Sequence, residues 1–370
     1  MKNRLKNMSS YSKKSATAYS IVIIAFIIVS VLDSFGFITN SLYGQLVPIC
    51  AYISLAVSLN LVVGISGELS LGHAGFMSIG AFSGVIVSTC LQHSIVAPIP
   101  RLLIAMAVGA LIAAVAGVLI GIPVLRLRGD YLAIVTLAFG EIIRNILNCT
   151  YVGLDSAGIR FATSAEKLGL DPVSGKMILN GPMGATGVQK LSTFGVGILV
   201  VLFTLFVVQN LINSKQGRAI MAIRDNRIAA ESVGLNVTNF KLTAFVTSAA
   251  LAGMAGALFA LNYSTIAPVK FNFNTSILIL VFVVLGGMGN IVGSIISATV
   301  LVILPEALRE FADYRMLMYA IVLILVMLAT NNMQFRAMLD KAIERIKSAV
   351  GRGSKKEKQQ AQTEGGMGNE

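Results

Sequence analysis

The chain has 370 residues, 55% of them hydrophobic and 12% charged, with a mean hydropathy of +0.80. Soluble domains carry about 25% charged residues, so this composition excludes an ordinary soluble enzyme, a disordered chain and a disulfide-stapled scaffold, and leaves a helical membrane protein. The net charge of +12 comes from basic residues that sit between apolar runs, which points to orientation in a bilayer and not to nucleic acid.

Residues 1–16 form a basic segment carrying Lys2, Arg4, Lys6, Lys13 and Lys14. The apolar run after it, 17–38, is too long for a signal peptide and no A-x-A pattern closes it, so it reads as the first transmembrane helix. Further spans are expected at 41–63, 75–91, 102–125, 131–149, 194–213 and 241–262, with a last one at 316–331. The stretch 274–305 reads either as one long helix or as two short ones turning at Gly286-Gly287-Met288-Gly289-Asn290. The tail after Asn332 decides between them, because it holds Arg336, Lys341, Arg345, Lys347, Arg352, Lys355, Lys356 and Lys358. Two short helices put that tail on the same side as the basic N-terminus, Arg126, Arg128 and the 215–241 loop, so most of the Lys and Arg lie inside.

The expected fold is therefore all-α and polytopic, with about ten transmembrane helices and both termini cytoplasmic. Residues 17–332 form the transmembrane domain, 150–193 an external loop, 215–240 a cytoplasmic loop and 333–370 a basic, partly disordered cytoplasmic tail. In that tail Leu339, Ile343, Ile346 and Val350 form a stripe suited to a surface amphipathic helix.

Small residues recur at every fourth position in several spans: Gly109, Ala113, Gly117 and Gly121; Ala249, Gly253 and Ala257; Gly289, Gly293 and Ser297. Such ridges let helix backbones approach closely in lipid, either within one bundle or against a second membrane subunit. Two Gly-rich breaks, Gly64-Ile65-Ser66-Gly67-Glu68 and Gly286 to Asn290, occupy comparable places and give a weak internal-repeat signal; chance resemblance is the alternative. Polar residues at membrane depth are few, and each needs a partner or a wet cavity. Asn60, Gly64, Gly67, Glu68, His73, Gly286, Gly289 and Asn290 are the candidates for lining a solute pathway. Glu141 and Arg144, spaced i, i+3, are expected to neutralise each other.

Cys50, Cys90 and Cys149 are isolated and read as apolar fillers, and His73 and His93 have no cluster around them, so no metal site is expected. No catalytic motif is present. Gly169 to Met177 misses a P-loop by one residue of spacing and carries Met177 in place of Ser/Thr, so no nucleotide site and no cofactor is expected in this chain. The polar segment 215–240 is more informative. Residues 218–232 read as an amphipathic helix with Ile220, Ile223 and Ile228 among its charges, closed by Gly234, and suited to a groove in a partner. The alternative is a plain surface loop.

Four stretches carry a family resemblance: SLNLVVGISGELSLGHAGFMSIGAF at 58–82, LRGDYLAIVTLAFGEIIRNIL at 127–147, GRAIMAIRDNRIAAESVGLNVTNFKLTAFVTSAALAGMAGAL at 217–258 and VLGGMGNIVGSIISATVLVILPEAL at 284–308. The chain resembles the inner-membrane permease subunits of branched-chain amino acid ABC importers, the LivM type in particular. The resemblance implies a bacterial inner-membrane permease bundle without catalytic activity of its own. It implies a second homologous permease, two ATP-binding cassette subunits that hold ATP and magnesium, an extracytoplasmic solute-binding protein, and an amino-acid solute such as leucine, isoleucine or valine. It also places Arg218, Arg224, Asp225, Glu231 and Gly234 where the family touches its ATPase. The acid in Ala229-Ala230-Glu231-Ser232-Val233-Gly234 comes last, whereas the general importer pattern puts it first. Similar subunits import urea or short-chain amides, and an ion-coupled secondary carrier is the rival outside the family.

Overall fold

Every expected apolar run that falls on described residues is helical in the computed structural model, which describes residues 10–35, 40–92, 94–127, 129–155, 158–169, 175–308, 320, 321 and 324. The helices are α1 (Ser10–Ser34), α2 (Asn40–Asn60), α3 (His73–Cys90), α4 (Pro98–Val124), α5 (Asp130–Asn148), α6 (Phe194–Asn213), α7 (Lys215–Asp225), α8 (Arg227–Ser232), α9 (Val237–Ala260), α10 (Phe273–Gly286) and α11 (Ile291–Ala307). Five helical stretches are long and apolar enough to cross a membrane, and three shorter ones are strongly apolar. The chain divides into two units, Met1–Glu306 and Ala307–Glu370. The basic tail lies outside the described residues, as does the expected last span except for residues 320, 321 and 324.

The ambiguity at 274–305 resolves as two helices. Gly287 and Gly289 take φ of +89° and +81°, a region closed to most side chains, and α10 and α11 meet there in a tight hairpin.

The core is built from small residues. α4 turns Ala105, Gly109, Ala113, Gly117 and Gly121 inward, while Leu111, Ile112, Val115, Leu119 and Ile122 face outward and exposed. Large apolar groups outside and glycine inside suit lipid as the solvent, because helix association there rests on close contact and not on expelling water. The inward face meets α9 and α3. A Cβ on Gly253 would strike the Gly109 carbonyl and the Ala113 methyl, and one on Gly80 would overlap the Gly253 backbone. The first two sequence ridges therefore pack inside this chain.

Two expectations need correction. First, the fold is not purely α, because the 150–193 segment carries strands. Strands β1 (Tyr151–Asp155), β2 (Gly158–Ala162), β3 (Lys176–Asn180), β4 (Ala185–Thr186) and β5 (Thr265–Ile266) form one antiparallel sheet in the order β2-β1-β3-β4-β5. β1 pairs along both of its edges and so satisfies its backbone, which lone surface strands cannot do. Gly184, at φ +72°, lies so close to the Ile266 carbonyl that a side chain would not fit. Secondly, 218–232 is not one helix. Asn226 is extended, at φ −152° and ψ 101°, and its carboxamide accepts from the Ala229 N–H, starting α8 afresh. An N-cap asparagine satisfies a donor the new helix leaves open.

Chain order fixes two ends of the bundle. α5 delivers the chain to the sheet, α6 leads away from it to α7 and α8, and α9 returns to β5. The sheet is thus at one end and α7–α8 at the other.

Candidate functional site

The two Gly-rich breaks meet at the α7–α8 end. Beyond Asn60, α2 widens into a buried π-helical turn, Leu61–Ile65. It closes at Gly67, φ +74°, with the Ser66 N–H bonded to Leu61 O at 3.1 Å and the Glu68 N–H to Val62 O at 3.1 Å. Single π turns concentrate at functional sites. The Asn60 carboxamide, 1% exposed, then spans the gap. Its Oδ1 accepts from the Gly289 N–H at 2.8 Å and its Nδ2 donates to Ser294 Oγ at 2.9 Å. A Cβ on Gly64 would overlap both Asn60 Oδ1 and the Gly289 backbone, and Gly286 and Gly293 face each other with equally little room. The Asn290 N–H bonds to Gly287 O at 2.9 Å, shaping the hairpin. Asn60, Gly64, Gly286, Gly289 and Asn290 therefore form one junction.

Arg224 connects α7 to that junction. Its Nη1 donates to the Gly64 carbonyl at 2.9 Å, while Nε and Nη2 donate to Asp225 Oδ1 at 3.1 and 3.0 Å. Its methylene stem lies against Gly67, where a Cβ would sit 2.6 Å from Arg224 Cγ. The rest of the loop is locally held. Arg218 Nη1 donates to Asn213 O at 3.1 Å, Arg227 and Glu231 pair at 2.8 Å, and Gly234, at φ +84°, closes α8 with its N–H on Glu231 O at 3.0 Å. Ile223, Ala230 and Val237 make a small buried core with Leu235 and Phe240. Ile228 and Val233 point outward, 81% and 77% exposed.

Glu68 pairs with Lys241 at the start of α9, both side chains mostly buried. His73 is buried, with Nε2 2.9 Å from Ser58 Oγ, and the Ser58 carbonyl accepts from Ser248 Oγ at 2.6 Å. These two residues sit at α2–α3–α9 contacts, apart from the junction. Glu141 and Arg144 pair at 2.7 Å, and Glu141 Oε1 also accepts the Phe273 N–H at 3.1 Å.

Two cavities open at opposite ends of the α2–α10 pair. The one at the α7–α8 end holds about 700 Å³ and is bordered by Ile65, Met221, Arg224, Gly289 and Asn290. The one toward the sheet holds about 460 Å³ and is bordered by Tyr52, Met77, Phe259, Lys270, Asn274 and Leu278. Of the second set only Asn274 stands out in the sequence as polar at membrane depth. Tyr52, Phe259 and Phe271 are indistinguishable there from ordinary core aromatics, and the segment joining α9 to α10 has no periodicity to place Lys270.

The family described as "Branched-chain amino acid transport system / permease component" matches residues 41–330. The chain is 39% identical over 289 residues to the high-affinity branched-chain amino acid transport system permease protein LivM of Salmonella typhimurium, covering 75% of this chain and 66% of that one. The LivM of Escherichia coli matches to the same extent. The ribose import permease protein RbsC of Escherichia coli is 25% identical over 317 residues, covering 83% of this chain and 90% of its own. The chain thus spans just under two thirds of the length of the two LivM relatives. With its apolar helices and this match over most of its length, the chain is a membrane protein and belongs to the permease component family of branched-chain amino acid transport systems.

Proposed function

We propose that this chain is a permease subunit of an ATP-driven importer of branched-chain amino acids in a bacterial inner membrane. It works by alternating access beside a second homologous permease, with two ATP-binding cassette subunits inside the cell and a solute-binding protein outside. ATP and magnesium belong to the cassette subunits. The basic residues between spans support placing α7–α8 in the cytoplasm and the sheet outside.

One observation carries the reading: α7–α8 turns a face each way. Outward, Ile228 and Val233 are bare apolar side chains on an aqueous end of the bundle, the kind of anchor that fills a groove in a partner. Inward, Arg224 holds the Gly64 carbonyl. A partner that moves α7–α8 therefore acts directly on the junction of the two breaks. The cavities on either side of the α2–α10 pair suit a solute released to one side at a time, since exchange between two packings needs two discrete arrangements.

The test is uptake in proteoliposomes holding the full chain with and without its ATPase, permease and binding-protein partners, offered radiolabelled leucine, urea and a short-chain amide. The expected result is leucine accumulation only with all partners and ATP. Accumulation by this chain alone under a proton or sodium gradient overturns the reading, and preference for urea or the amide overturns its choice of solute.

A further inference from the structure

At the junction Gly64, Gly286 and Gly293 are closed over by backbone or by Asn60, which leaves a solute little room between the two breaks. Arg224, the cation bordering the neighbouring 700 Å³ cavity, is held by Gly64 and Asp225. The cavity toward the sheet differs on both counts. At about 460 Å³ it falls within the roughly 300–1,000 Å³ typical of small-molecule sites.

Its walls divide into two chemical halves. One is apolar: Tyr52, Met77, Phe259 and Leu278. Behind them stands a packed set of rings, with Phe259 5.8 Å from Tyr52, 5.0 Å from Tyr263 and 6.3 Å from Phe271, which makes this half stiff. The other half is polar. The Lys270 ammonium lies 4.4 Å over the Tyr263 ring and has no carboxylate partner among the described residues. Burial raises the Tyr263 phenol above its usual pKa, so the ring beside that cation is neutral. The Asn274 carboxamide, exposed like the Lys270 side chain, likewise bonds to none of the described residues. Asn272 and Thr275, by contrast, bond to each other and to the local backbone.

We infer that this cavity is the chain's solute site, and that it takes an α-amino acid with a hydrocarbon side chain. Lys270 receives the carboxylate, Asn274 accepts from the ammonium through its carbonyl oxygen, and the side chain lies against Tyr52, Phe259 and Leu278. A cation and an apolar wall lining one cavity match such a zwitterion. Urea and simple amides have neither a charge for Lys270 nor a hydrocarbon part for the wall, and sugars lack both as well. The inference rests on the amino-acid reading above and deepens it with a location.

The experiment uses the full chain with Cys50, Cys90 and Cys149 changed to alanine and Leu278→Cys added, in membranes of cells that express the whole transport system. The rate of maleimide labelling at position 278 is followed against increasing leucine, urea or ribose, and leucine uptake is measured on the same cells. The expected result is a several-fold slowing by leucine alone. Lys270→Gln should raise the half-protecting leucine concentration about tenfold, the size of one lost charge-assisted hydrogen bond, without altering labelling in the absence of leucine. Unchanged labelling in cells that still take up leucine overturns the site and leaves the transport reading standing. Protection by urea and not by leucine overturns both. If Leu278→Cys impairs uptake, Tyr52→Cys provides the same readout from another part of the wall.

Discussion

Arg224 and Gly64 are 160 residues apart in sequence, and the guanidinium of one holds the carbonyl of the other at 2.9 Å. The bond joins a short polar helix at the bundle's end to the one π-helical turn among the described residues. It is aimed by Asp225 and needs a bare backbone at Gly67 for its stem to pass.

Arg224→Ala removes that tie while leaving the membrane helices untouched. Uptake by the assembled transporter should fall about tenfold or more, as expected for the loss of one charged hydrogen bond of roughly 1.5–3 kcal/mol. The amount of chain in the membrane should stay the same. Arg224→Lys should recover little, since an ammonium cannot bond Gly64 and Asp225 in the same fork geometry. Transport assays alongside immunodetection of the inserted protein provide the check, and undiminished uptake in Arg224→Ala would remove the bond from the coupling route.

Asn60→Leu tests the junction itself. The substitution removes the acceptor of the Gly289 N–H and the donor to the Ser294 hydroxyl, which keeps its own bond to Asn290 O at 3.2 Å, at a cost of about 1 kcal/mol for each hydrogen bond lost. The solubilised protein should lose several degrees of thermal stability. Asn60→Asp, which keeps the acceptor for Gly289, should lose less unless the carboxylate ionises in its buried place. Melting curves of the two variants side by side distinguish these outcomes.

For Glu68 and Lys241, whose side chains are 13% and 11% exposed, removal of one partner is worse than removal of both. Glu68→Gln strands a shielded ammonium and should destabilise by about 3 kcal/mol. The double variant Glu68→Gln with Lys241→Met should regain much of that loss. A double-mutant cycle on thermal stability measures the coupling, and simple additivity would contradict it.

Gly80→Val forces a branched side chain into the Gly253 backbone. No rotamer relieves such an overlap, so α3 and α9 must separate, and the chain should fail to accumulate as a monodisperse species on size-exclusion chromatography. The same change at Gly44, which has open space around it, should be tolerated.

The sequence announces the parts of this molecule whose physics is local. Lipid-length apolar runs, small residues four apart and paired glycine breaks each have a short-range signature, and the basic tail is enough to choose two helices over one at 274–305. The sheet is illegible because β4 and β5 are two residues each and pair across the whole of α6 to α9. Strands that short show no alternation. The Asn226 break is hidden for a related reason: a polar residue inside a polar helix looks like surface until its side chain is seen capping Ala229. At the junction, the sequence offers Asn60 and Gly289 as separate candidates, and only the fold brings them to one hydrogen bond. The family resemblance marks Arg224 as a residue near a partner, and only the fold shows its guanidinium on the Gly64 carbonyl.

The sheet has one further consequence. Because β5 is zipped to β4, the last turn of α9 is tethered to a rigid plate, whereas its first turn is joined to α8 by a loop of four residues, Val233 to Asn236. A rod clamped at one tip and nudged at the other swings about the clamp. In the proposed importer, rotation of α9 by a small angle is then felt least where amino acids enter and most beside Lys241 and Glu68, so displacement is largest where the engine attaches and fades toward the outer doorway.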